Sequence, residues 1–123
     1  MQEVIERKQW ASFVKEFDRR NGMRATRVEV VGSDIGAQEE EHLLPFTGIS
    51  LEEKGQDAPR IEISLGGETS KDERHLTHMV SRVRSIMRKI GTDLREEALL
   101  LEDEEGTKTI LHFEALPELA AAG

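Results

Sequence analysis

The feature that most constrains this chain is a change of hydrophobic period at Asn21-Gly22. Before it, Trp10, Phe13, Val14 and Phe17 recur at i, i+3, i+4 and i+7, which puts them on one face of an amphipathic helix of about fifteen residues. Arg19 and Arg20 suit the negative end of that helix, and Gly22 can take the left-handed conformation that closes it. After it, the period is 2. Val28 and Val30 alternate with Arg27 and Glu29, Ile49 and Leu51 with Ser50 and Glu52, and Ile61, Ile63 and Leu65 with Glu62 and Ser64. Gly32-Ser33-Asp34-Ile35-Gly36 and Gly55-Gln56-Asp57-Ala58-Pro59 supply turn chemistry between these strands. The expected fold is α+β: an N-terminal amphipathic helix packed on a mainly antiparallel, meander-type sheet, with three or four strands over 26–65.

The C-terminal third predicts a hairpin, with Leu99-Leu100-Leu101 and Ile110-Leu111-His112-Phe113 flanking the acidic turn Glu102-Asp103-Glu104-Glu105-Gly106. The segment 71–90 reads locally as a second helix. Leu76, Met79, Val80, Val83, Ile86, Met87 and Ile90 fit one helical face, Ser70 and Glu73 have capping-box spacing, and Arg88 and Lys89 precede Gly91. No repeat or linker divides the chain, so residues 1–117 are expected to form a single globular domain and 118–123 a flexible tail.

At 123 residues with a formal charge of −8, the chain is acidic enough to repel polyanions, so neither nucleic acid nor an anionic membrane is an expected partner. Cysteine is absent, which excludes disulfides, thiolate metal sites and cysteine nucleophiles. Met1 to Trp10 carries Glu3, Glu6, Arg7 and Lys8 with no apolar core segment, unlike a secretory signal, and no 18-residue apolar run exists. A cytoplasmic location is expected.

Several stretches together resemble an uncharacterised bacterial domain-of-unknown-function family (label 5335). They are Trp10-Ala11-Ser12-Phe13, residues 28–38 from Val28-Glu29-Val30 to Ala37-Gln38, Leu44-Pro45-Phe46-Thr47-Gly48-Ile49, His75-Leu76-Thr77-His78, and residues 102–111 from Glu102 to Leu111. The resemblance implies no reaction, ligand or partner. It does imply strands in 71–90, because relatives place a proline shortly after the His-x-Thr-His stretch, where this chain has Ser81-Arg82-Val83. On that basis the segment is expected as a strand pair, roughly His75 to Val80 and Ser85 to Ile90, with the second helix as the alternative.

Few residues offer chemistry. His75 and His78 are the candidate metal ligands, with Glu73 nearby: three apart, they share a face on a helix and point to opposite sides on a strand. His42 and His112 bear no spacing that predicts a third ligand, so no metal or cofactor is expected. The acidic turn lacks the alternating ligands of a calcium loop, and Glu39-Glu40-Glu41 reads as a charged strand edge. The glycines have no phosphate-cradling pattern. Charge segregation is more informative: Arg74, Arg82, Arg84, Arg88, Lys89 and Arg95 precede Glu96, Glu97 and the acidic turn. The two blocks can pair across adjacent strands, pair between two copies, or leave Arg82, Arg84, Arg88 and Lys89 to meet an acidic protein partner. The expected function is a non-enzymatic binding or protein-interaction module that self-associates, the alternative being a small metal-binding protein or enzyme using His75 and His78.

Overall fold

The computed structural model describes residues 1–32, 36–66 and 75–114, with the side chains of 36–42 outside that description. Its elements are β1 (Gln2–Val4), a single 3-10 turn (Arg7–Gln9), α1 (Trp10–Arg20), β2 (Ala25–Gly32), β3 (Gly36–Glu52), β4 (Arg60–Gly66), β5 (His75–Val80), β6 (Val83–Ile90), β7 (Glu96–Asp103) and β8 (Lys108–Phe113). The strands form one antiparallel sheet in the order β1-β6-β7-β8-β2-β3-β4-β5. The architecture is therefore α+β with one helix on an antiparallel sheet, as the change of period implies. The long β3 joins two parts of it, pairing with β2 through Pro45 and with β4 from Phe46 onward.

The helix is shorter than its sequence suggested, eleven residues, because the chain enters it through β1 and the 3-10 turn. Ile5 marks that entrance: its N–H donates to the Ile86 carbonyl, and its own carbonyl accepts from Trp10 Nε1 at 3.0 Å. Closure also differs in detail. The left-handed residue after α1 is Met23, at φ 68°, and not Gly22, because the Met23 N–H reaches across to the Phe46 carbonyl at 2.7 Å. Trp10, Val14 and Phe17 are buried against the sheet, and Phe17, fully buried, lies 5.7 Å from Phe46 and 5.6 Å from Phe113 between ring centroids.

Residues 75–90 are strands, so the helix reading of that segment is overturned where it is described; its proposed cap at Ser70–Glu73 lies outside the described residues. Two local irregularities explain the false helical period. Arg84 is bulged out where Val83 pairs with Asp103 and Ser85 with Glu102, which brings both Val83 and Ile86 inside at a spacing of three. The next inward position is then Arg88, and burial of Ile90 completes the i, i+3, i+7 pattern without a helix.

The hairpins β6–β7 and β7–β8 share one turn geometry. Gly91 N–H donates to the Arg95 carbonyl and Leu94 N–H to the Gly91 carbonyl; Asp103 N–H donates to the Thr107 carbonyl and Gly106 N–H to the Asp103 carbonyl. An aspartate caps each turn, Asp93 to the Arg95 N–H and Asp103 to the N–H groups of Glu105 and Thr107. The left-handed position is a glycine in the second turn (Gly106, φ 84°) but Leu94 in the first (φ 67°), with the leucine side chain 84% exposed. A leucine is strained there and buries nothing in return. Leu94→Gly is therefore expected to stabilise the chain by up to about 1 kcal/mol, the relieved strain exceeding the added freedom of the unfolded state. Urea titration checks this, and equal or lower stability would contradict it.

Candidate functional site

Strand alternation decides where the candidate histidines point. His75 is exposed, whereas His78, three residues on, faces inward with Nε2 3.3 Å from Thr109 Oγ1 on β8. The two imidazoles thus lie on opposite faces of β5 and cannot grip one ion together. Among the described residues no three His, Asp or Glu side chains gather as a metal site. Glu73 and the side chain of His42 lie outside the described residues, as do those of Glu39–Glu41. His112, on the outer face of β8, pairs with Glu29 at 2.9 Å.

The basic candidates each face an acid of the same chain. Arg84 meets Glu102 at 3.0 Å, Lys89 meets Glu97 at 3.7 Å and Arg88 meets Glu96 at 2.6 Å, all across β6 and β7, while Arg82 reaches Asp57 at 2.9 Å. Arg88 lies opposite Leu99, Lys89 opposite Ala98, and Arg84 is bulged out, so the first three are diagonal contacts between a basic β6 and an acidic β7 rather than direct cross-strand pairs. Arg95 in that turn is different: its side chain makes no hydrogen bond or ion pair with any described residue.

Glu96 is the polar centre of the molecule. Its side chain is 5% exposed. Arg20 holds it side-on, Nε to Oε1 at 3.3 Å and Nη2 to Oε2 at 2.7 Å; Arg88 Nη1 donates at 2.6 Å and Asn21 Nδ2 at 3.1 Å. Burial alone raises a carboxyl's pKa, but the donors Arg20, Asn21 and Arg88 outweigh it and hold Glu96 below the ordinary carboxylate range. Asn21 also bonds the Phe17 carbonyl, so it both ends α1 and ties that end to β7. Arg88 reaches on to Glu3 at 2.6 Å, adding β1 to the same network.

Arg24 completes the arrangement from behind. It is 9% exposed and stacked with its guanidinium 4.4 Å from the Phe113 ring centroid. Its Nη1 donates to Asn21 Oδ1 at 2.9 Å and to the Glu96 carbonyl at 2.7 Å. Its Nε is buried without a partner, and its Nη2 makes no hydrogen bond to a described residue. Burial lowers the pKa of Arg24 from its ordinary value, the positive charge of Arg95 lowers it further, and Glu96 and Asp93 oppose both. Arg24 and Arg95 line a cleft of about 540 Å³ together with Arg27, Lys89, Thr92, Phe113 and others.

Outward-facing side chains form a second feature. Register places Val4, Met87, Leu100 and Ile110 side by side across β1, β6, β7 and β8. Val4 is 67% exposed and the other three are half-buried, whereas the rows on either side of this one, Arg88-Leu99-Leu111-Val28 and Ile86-Leu101-Thr109-Val30, point inward. Helix α1 packs on the inner side, and no described element covers the outer row. Sequence reasoning missed this row because it spans four strands distant in the chain; the network at Glu96 was missed because Glu96 was grouped with the exposed acids that follow it.

Residues 1–121 match the model of a family of unknown function, DUF5335. No curated protein and no solved structure matches the chain. No helix among the described residues is long and apolar enough to cross a membrane.

Proposed function

This chain belongs to that family of unknown function, which lends it no reaction, and we propose on geometric grounds that it is a non-enzymatic interaction module of the bacterial cytoplasm that self-associates through the outer face of its sheet. The observation that carries this reading is the uncovered row Val4-Met87-Leu100-Ile110, four apolar side chains in register with no covering layer among the described residues. An exposed apolar stripe rimmed by charge is the usual mark of an interface. The occupant is a second copy, because a twofold axis along this row packs its four apolar side chains against the same four of the partner, a self-complementary contact.

Light scattering across a concentration series tests it. The wild-type chain is expected to show a reversible dimer, and Leu100→Glu, at the middle of the row, to be monomeric with an unchanged circular dichroism spectrum. A wild-type monomer up to about 1 mM would sink the proposal, since a contact weaker than that contributes under about 4 kcal/mol.

A further inference from the structure

The cleft beside Glu96 carries an inference independent of self-association. We propose that it binds a small carboxylate-bearing ligand, with Arg24 and Arg95 as the residues that grip the carboxylate.

Two arginines at this site are used differently. Arg20 meets Glu96 through its Nε and Nη2, the edge of the guanidinium that matches the two oxygens of a carboxylate. In Arg24 the opposite holds: only Nη1 is occupied, and the Nε–Nη2 edge has no hydrogen-bond partner among the described residues. A buried N–H without an acceptor costs a folded chain about 1–3 kcal/mol; Nε is closed off from solvent as the side chain stands, so Nη2 is the donor that a ligand reaches. The stack on Phe113 and the two bonds from Nη1 hold this side chain in place before any ligand arrives.

Arg95 supplies the second cation. It sits in the β6–β7 turn at the rim of the same cleft, exposed and without a side-chain partner among the described residues, and its charge disfavours the charge on Arg24. Two guanidinium groups that line one cleft lower their mutual repulsion when an anion lies between them. The other charges of the cleft set the ligand's class. Asp93, Glu97 and Glu114 also line it, with Glu97 3.7 Å from Lys89 and Glu114 3.7 Å from Arg27. These acids disfavour a dianionic phosphate more than a single planar carboxylate. Ala98 and Phe113 offer apolar walls for what the carboxylate carries, and about 540 Å³ accommodates a molecule the size of an acylated amino acid.

The test follows the arginine Nε–H resonances by NMR during titration with N-acetylalanine, its neutral methyl amide, and inorganic phosphate. N-acetylalanine is expected to shift the Arg24 Nε–H signal saturably with a Kd of order 1 mM. The methyl amide should leave it in place, and phosphate should bind more weakly. Arg95→Gln, an exposed substitution with an unchanged melting curve, is expected to weaken N-acetylalanine about fivefold. Arg24→Lys, followed through the Arg95 Nε–H signal, should abolish saturable binding by replacing the fork with a point charge. No saturable shift with N-acetylalanine, an equal shift with the amide, tighter binding of phosphate, or an Arg95→Gln variant that binds as wild type would each overturn the proposal.

Discussion

Replacing Glu96 with alanine is expected to remove about 3–5 kcal/mol of stability, because it leaves Arg20, Arg88 and Asn21 around a space with no acceptor. The loss is large for one surface-adjacent strand residue because the carboxylate joins three elements: the end of α1 through Arg20 and Asn21, β6 through Arg88, and β1 through Arg88 and Glu3. Glu96→Gln should cost less, since the amide oxygen still accepts. The same carboxyl gives a pH signature. Its folded pKa is depressed, so its contribution is fully present above the unfolded carboxyl value of about 4.3 and is lost as pH falls through the lower folded value. Thermal melts at about pH 6 and about pH 3 should therefore show a smaller acid-induced drop for Glu96→Gln than for wild type. Parallel drops in the two proteins would show that the carboxylate is not the acid-sensitive group.

Phe17→Ala is the second large effect, expected at about 3–5 kcal/mol. Phe17 is wholly buried and touches three other rings: Phe13 at 5.7 Å, Phe46 edge-on at 5.7 Å and Phe113 at 5.6 Å, while Phe46 and Phe113 meet edge-on at 5.9 Å. Removing the central ring leaves a cavity that α1, pinned at its C-terminal end by Asn21, cannot close by sliding. Phe17→Leu keeps more of the volume and should cost markedly less. Chemical denaturation of both variants measures the difference, and equal costs would place the energy in aromatic contact rather than in the cavity.

These two residues mark the limits of what the sequence discloses. Phe17 was legible, since helix period alone assigns it to the buried face. Glu96 was not, and the reason is a bulge. Lys89 pairs with Ala98 and Ile90 with Glu96, so Glu97 is the extra residue and the alternation inverts there. Counting back by twos from the inward Leu101 and Leu99 would put Glu97 inside and Glu96 in solvent. The β7–β8 hairpin and the strands at 28–30, 49–51 and 61–65 were readable because nothing interrupts their alternation. The strands of 75–90 needed the family resemblance, since bulging and an inward arginine had given them the spacing of a helix. That Arg24 and Arg95 line one cleft could not be read at all, because no local pattern relates the start of β2 to a turn more than half the chain away.

The sheet order also sets a schedule. Val28 in β2 has its β8 partner in Leu111, and Glu3 in β1 has its β6 partner in Arg88. A chain emerging from its N-terminus can close the β2–β3 and β3–β4 hairpins early, but β2 then waits with one flank unpaired until nearly everything else has been made. Chains dominated by such distant pairings fold in milliseconds to seconds rather than microseconds. During that interval Val28 lacks its β8 neighbour Leu111, and apolar surface that ends in the core is open to other chains.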